Sequence, residues 1–274
     1  MRGDWLGIFD SGVGGLTVAR AVAAALPDAD IAYLGDTARV PYGTRSPDTV
    51  RRYARGCAQL LSDLGLRALV VACNTASAVA LQDLEQQFDG PVLGVVGPGA
   101  RQAAAATDTG HVAVLATATT TASEAYPAAL ARSADGVRVT SLACPLLVPL
   151  AEEGWTSGDV PEAVARRYLS PLAGSDVDTL VLGCTHYPLL ADVLQSVGQD
   201  IVGRPLTLVD SAAAVATELA ARLGPDSHGG QGRRRFHVTD ALRAFAQVAP
   251  RFFGGPVDDL HLVDVVPASA PSDA

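Results

Sequence analysis

Short apolar runs alternate along this 274-residue chain with longer stretches whose apolar residues fall three and four apart. The short runs lie at 6–10, 31–35, 68–73, 91–95, 111–116, 137–143, 178–184 and 206–209. Runs of this kind are strands apolar on both faces, and their alternation with helices predicts a parallel α/β sheet. Residues 48–64 place Val50, Tyr53, Ala54, Cys57, Leu60, Leu61 and Leu64 along one helical face. Residues 210–223 open on the capping pair Asp210-Ser211 and stop at Gly224. The Gly-rich stretch 224–235, ending in three arginines, is expected to be a surface loop, and the tail 266–274 a disordered segment.

A weak internal repeat refines the fold. ALVVACNTAS at 68–77 resembles TLVLGCTHYP at 179–188, and Tyr33-Leu34-Gly35-Asp36 resembles Ser141-Leu142-Ala143-Cys144, at nearly the same offset. Two similar α/β lobes are therefore expected. The first comprises residues 1–97 with 208–265 and carries Cys73; the second comprises 98–207 and carries Cys184. Ligands bind at the carboxyl ends of parallel strands. Two facing lobes would put Cys73 and Cys184 on opposite walls of one cleft.

Composition removes several chemistries. The chain has no lysine, all 20 of its basic residues being Arg. A pyridoxal Schiff base, a Walker A loop and an amine nucleophile are thereby excluded. The net charge of −9 opposes binding to nucleic acid or to anionic membranes. No apolar run is long enough for a transmembrane helix. Met1-Arg2-Gly3-Asp4-Trp5 lacks a signal-peptide layout, so a cytoplasmic protein is expected. The four cysteines contain no CxxC and suggest neither a metal site nor a disulfide framework.

Cys73 and Cys184 each end a predicted strand, open the following helix and stand beside polar neighbours, Asn74-Thr75 and Thr185-His186. A helix N-terminus stabilises a thiolate, and its free amides bind carboxylates. Cys57, on the apolar stripe of its helix, is expected in the core; Cys144 is expected to be a spare, partly buried thiol. The loop Asp10-Ser11-Gly12-Val13-Gly14-Gly15-Leu16-Thr17 fails as a dinucleotide fingerprint at Thr17. Its alternative role is to hold a small carboxylate through Ser11 and the loop amides. Tyr42 and Gly43 lie in a turn at the same cleft end. His186 is close enough to tune Cys184. Glu152-Glu153 could equally be a solvated acidic face.

Six stretches of this chain, in family order, resemble the cofactor-independent glutamate racemases of the aspartate/glutamate racemase family. They are GIFDSGVGGLT (7–17), YLGDTARVPYG (33–43), ACNTAS (72–77), LACPL (142–146), EEG (152–154) and LGCTHYPL (182–189). The resemblance implies L-/D-glutamate interconversion for peptidoglycan synthesis by two thiols, with no cofactor and no metal. On that basis Cys73 serves the D-enantiomer's proton and Cys184 the L-enantiomer's, supported by Asp10, Glu152 and His186. Substrate-binding positions carried over are Asp10, Ser11, Tyr42, Gly43, Asn74, Thr75, Thr185 and His186, with Thr120 added. The implied partner is glutamate, and a homodimer is the candidate assembly. Two departures stand out: Gly97, where many members carry Glu, and the Thr/Ala-rich loop 116–124. The rival readings are a racemase of aspartate or another amino acid, a non-catalytic acidic amino-acid binding module, and a dinucleotide-dependent oxidoreductase.

Overall fold

The computed structural model describes residues 5–224 and 230–266. The strands in chain order are β1 (Trp5–Asp10), β2 (Asp30–Gly35), β3 (Leu66–Val71), β4 (Val92–Gly94), β5 (His111–Ala116), β6 (Arg138–Ala143), β7 (Thr179–Gly183), β8 (Thr207–Asp210), β9 (Arg234–Val238) and β10 (Leu260–Leu262). They form two sheets, ordered β10-β9-β2-β1-β3-β4 and β6-β5-β7-β8. All the pairings are parallel. The order β2-β1-β3-β4 recurs as β6-β5-β7-β8, so the repeat in the sequence is a repeat of sheet topology. Cys73 and Cys184 follow the equivalent strands β3 and β7.

Helices α1 (Leu16–Ala25), α2 (Pro47–Ser62), α3 (Asn74–Gln87), α4 (Val96–Ala106), α5 (Ala118–Ala122), α6 (Ala125–Ser133), α7 (Leu147–Glu153), α8 (Asp159–Leu169), α9 (Ala191–Val202), α10 (Ser211–Leu223) and α11 (Leu242–Phe253) cover the sheets. Helix α2 starts where its chemistry dictates. Ser46 accepts the Thr49 N–H, Pro47 occupies the first turn, and Val50, Ala54, Cys57 and Leu61 are buried. Helix α10 is capped by the Asp210 carboxylate, which takes the Ala212 N–H at 2.8 Å. One apolar core joins the two sheets, drawing Leu16 and Val18 from α1, Leu147 from α7, Leu219 from α10, Phe252 from α11 and Leu182 from β7.

Two expectations change. The boundary expected after residue 207 would cut β8, whose residues Leu208, Val209 and Asp210 pair with β7, so the sheets part after Asp210. The loop expected over 224–235 ends early, because residues 234–235 begin β9. Arginines are tolerated there because they are partnered. Arg233 binds the buried Asp30 carboxylate, Arg235 pairs with Asp259, and both guanidinium groups lie over the Trp5 ring. Residues 225–229 of that loop, and the expected tail apart from residue 266, lie outside the described residues. No helix among the described residues is long and apolar enough to cross a membrane.

Candidate active site

The carboxyl ends of the two sheets bound a cavity of about 190 Å³. Ser11, Gly12, Val40, Pro41, Tyr42, Gly43, Thr44, Cys73, Asn74 and Thr75 line it from the first sheet. Thr117, Pro145, Val148, Pro149, Glu152, Cys184, Thr185 and His186 line it from the second. The cavity wall carries both thiols, and neither Arg nor Lys.

Cys73 is the N-cap of α3. Its Sγ accepts the Ala76 N–H at 3.4 Å, and its thiol donates to Ser11 Oγ at 3.5 Å. Burial, reinforced by the Asp10 charge, pushes this thiol up to about 12, while the Ser11 and Ala76 hydrogen bonds act in the other direction. Asp10 ends β1 and is fully buried behind the cavity wall. Its Oδ2 accepts the Gly12 N–H at 2.9 Å; its Oδ1 has no partner among the described residues. Burial raises the Asp10 carboxyl, opposed by the His186 charge and by the loop amides.

Cys184 has different neighbours. It was expected to open a helix, but a four-residue 3₁₀ turn, Tyr187–Leu190, follows it and α9 begins only at Ala191. Pro188 in that turn has no N–H to offer. Charge comes instead from His186, whose Nδ1 is 3.8 Å from Cys184 Sγ and whose Nε2 is 2.9 Å from Glu152 Oε1. Burial alone would lower the imidazole; its bonds to Cys184 and Glu152, and their charges, outweigh burial and raise it to about 10. The raised value favours the imidazolium, whose Nε2 faces Glu152 and whose Nδ1 lies between Cys184 Sγ and Thr185 Oγ1, the latter 3.3 Å away. Glu152 is half exposed, so it is both on a solvated face and part of this dyad.

The hydroxyls of Thr75, Thr117 and Thr120 form a triangle with sides of 3.0 to 3.1 Å. Thr120 is buried and stands behind the other two, off the cavity wall. The exposed member from the second sheet is Thr117, which the sequence reading passed over. Its signal was available: Thr117 is the first residue past β5, as Ser11 is the first past the equivalent β1. Tyr42 reaches the wall with its hydroxyl donated to Asp36 Oδ2 at 2.6 Å, and Asp36 is held in turn by Arg39 and Thr239.

Two glycines of the loop are fixed by packing. A Cβ on Gly14 would stand 2.2 Å from Thr185 Oγ1 and 2.4 Å from His186 Nδ1, and one on Gly15 would stand 2.4 Å from Asp10 Cβ. The loop is bare so that the second lobe can press against it. A pyrophosphate has no room there. Cys57 is fully buried, 4.0 Å from the Tyr42 hydroxyl. Cys144, expected to be partly buried, is fully buried, donates to the Leu142 carbonyl and does not line the cavity.

A family model described as Asp/Glu/Hydantoin racemase matches residues 16–219. The chain is 49% identical over 266 residues to a glutamate racemase of Geobacter metallireducens, covering 95% of this chain and 96% of that one. Among solved structures, a glutamate racemase isoform from Bacillus anthracis superposes with a TM-score of 0.89 at 36% identity, covering 98% of this chain and 100% of that one. The glutamate racemase from Francisella tularensis, solved in complex with D-glutamate, gives a TM-score of 0.86 at 33% identity, covering 94% and 97%.

Proposed function

The chain belongs to the Asp/Glu/Hydantoin racemase family of isomerases, and from that premise we propose that it interconverts L- and D-glutamate by two-thiol proton transfer. One observation carries the reading: Cys73 and Cys184, from equivalent strands of two sheets, line one small cavity. Inverting a stereocentre needs a base on one face and an acid on the other. With L-glutamate bound, the Cys184 thiolate takes the α-proton while the Cys73 thiol gives its proton to the opposite face. The D-product leaves with Cys184 protonated and Cys73 ionised, and the reverse reaction or solvent exchange resets the pair.

The residues around the thiols divide the remaining work. The His186 imidazolium carries the charge beside Cys184, and Glu152 holds the imidazolium in place. The Ser11 hydroxyl and the Ala76 amide do the same for Cys73, with Asp10 behind them. Substrate carboxylates meet neutral donors at Ser11, Asn74, Thr75, Thr117 and Thr185, which stabilise the α-carboxylate as it gains enolate character. Both thiols come from one chain, so the chemistry is complete within a single protomer, whether alone or in a homodimer. Glutamate is preferred to aspartate because the relatives at high coverage carry the name glutamate racemase. The physiological reading is D-glutamate supply for peptidoglycan in the cytoplasm, without cofactor or metal.

Racemisation in heavy water tests this. Two opposed bases should place deuterium at Cα of newly formed D-glutamate while unreacted L-glutamate stays protonated, and the converse should hold from D-glutamate. Cys73→Ala and Cys184→Ala should each abolish racemisation. Deuterium entering unreacted substrate as fast as product would mean one shared base and overturn the reading. Turnover of aspartate but not glutamate would move the substrate assignment.

A further inference from the structure

Behind the cavity wall a chain of hydrogen bonds runs from one sheet to the other. Asn74 Nδ2 donates to the Tyr126 hydroxyl at 2.8 Å. The Tyr126 hydroxyl lies 2.9 Å from Ser211 Oγ, and Ser211 Oγ donates to the Leu182 carbonyl at 3.3 Å. Asn74 follows Cys73, and Leu182 lies two residues before Cys184. Asn74, Tyr126 and Ser211 are each at least nine-tenths buried. Two glycines make room for the chain. A Cβ on Gly99 would stand 3.0 Å from Ser211 Oγ, and one on Gly183 would stand 3.1 Å from Tyr126 Cε2.

The direction of the chain follows from its far end. A carbonyl oxygen only accepts, so the Ser211 hydroxyl spends its proton on Leu182. Ser211 Oγ is then an acceptor for Tyr126, whose phenol burial keeps protonated. With its proton committed to Ser211, the Tyr126 oxygen must accept, and Asn74 meets it with an N–H. A flipped amide would reverse every link and leave the Leu182 carbonyl without the Ser211 donor. Such a flip leaves buried polar groups unmatched, which is costly in a dry interior.

We infer that Tyr126, with Ser211, is a positioning residue that fixes which way round the Asn74 amide faces the substrate, reading the sense from a backbone carbonyl on the opposite thiol-bearing strand. The inference rests on the racemase reading. It gives the site a substrate-binding amide that is oriented before substrate arrives, so no binding energy is lost in ordering it. It also ties the wall carrying Cys73 to the strand carrying Cys184.

The test is Tyr126→Phe, which removes one oxygen and keeps the ring. KM for both enantiomers should rise about tenfold with a smaller change in kcat, as for lost uniform binding. Ser211→Ala frees the phenol to turn and should raise KM in the same direction by less; it also serves if the Phe variant does not fold. In an Asn74→Ala background, Tyr126→Phe should have no further effect on KM. An independent readout is proton exchange at the Asn74 side-chain amide by NMR, slow in the unaltered protein and fast in Tyr126→Phe. Unaltered KM in both single variants, an additive effect in the Asn74→Ala background, or unchanged amide exchange would overturn the inference. A wild-type protein that racemises nothing would overturn the racemase reading instead, and the amide-exchange result would still decide whether the chain of bonds holds the amide.

Discussion

Cys73 and Cys184 follow equivalent strands yet meet different surroundings. Cys73 takes a helix N-terminus and a hydroxyl, with a buried carboxyl behind; Cys184 takes an imidazolium held by a carboxylate. Asp10 is costly to the fold, since one oxygen of a fully buried carboxyl has no hydrogen-bond partner among the described residues. Its folded-state pKa lies above 3.8, so its contribution to stability is present at low pH and is lost as pH rises through the folded value. Asp10→Asn should therefore melt no lower than the unaltered protein at pH 7 while turnover falls about tenfold or more. Calorimetry and a circular-dichroism racemisation assay check both halves; full turnover in the variant would return Asp10 to a structural role. His186 has the same sign over a different window. Its pKa is raised from 6.5 to about 10, so its stabilisation is complete below 6.5 and disappears as pH rises through about 10. The unfolding temperature should fall between those values, and Glu152→Gln should flatten the fall. Parallel pH–melting curves for the two proteins would show that Glu152 does not hold the imidazolium.

At the scale of elements, much of the architecture was legible, and the misses have physical reasons. Eight of the strands announce themselves as apolar runs: six are almost wholly buried, as parallel strands covered on both faces are, while β6 and β8, the part-exposed edges of the second sheet, show only shorter apolar stretches. Strand β9 was hidden because Arg234 and Arg235 begin it, and what makes them acceptable is distant in sequence: the Pro27 and Ala29 carbonyls for Arg234, Asp259 and Trp5 for Arg235. Strand β10 is a three-residue edge, too short to show a period. The strand-end thiols were readable from the repeat, but the 3₁₀ turn after Cys184 was not, since Pro188 is compatible with either kind of first turn. The glycine loop was read as a carboxylate cradle because glycines before a helix allow that; the packing demand on Gly14, from Thr185 and His186 of the other lobe, was not legible. Gly14→Ala should lower stability by about 1–3 kcal/mol, as overpacking does, and impair turnover through His186. Gly97→Ala is the contrast. Its Cβ would meet only the flexible end of Arg101, at 3.4 Å, and alanine favours the helix, so stability should rise by about 0.5 kcal/mol. Denaturant titrations of the two variants would separate these outcomes, and a tolerated Gly14→Ala would overturn the packing demand at that position.

The whole molecule is a repeat whose first copy is completed last. The chain builds β1 to β4, leaves to build β5 to β8, then returns through α10 and adds β9, α11 and β10 beside β2. Helix α11 lies beyond the segment that the family model matches, yet it reaches the second lobe's side of the site. Arg251 donates to the carbonyls of Ala151 and Glu152, closing the last turn of α7, and Phe252 meets the His186 ring edge-on at 5.2 Å. Helix C-terminal carbonyls lack partners of their own and favour a cation. Arg251 therefore holds in place the turn from which Glu152 reaches His186. Arg251→Met keeps the aliphatic stem and removes the charge. It should cost about 0.5–1 kcal/mol of stability, a few degrees at most in a chain of this size. Turnover should fall further than so small a loss explains, since Glu152 is then free to leave the imidazolium. The enantiomers are equal in free energy, so kcat/KM must fall by the same factor in both directions. The discriminating measurement is a double-mutant cycle with Glu152→Gln. If Arg251 acts through Glu152, removing it from the Glu152→Gln protein should change kcat/KM little; independent, additive losses would place its effect elsewhere in the fold.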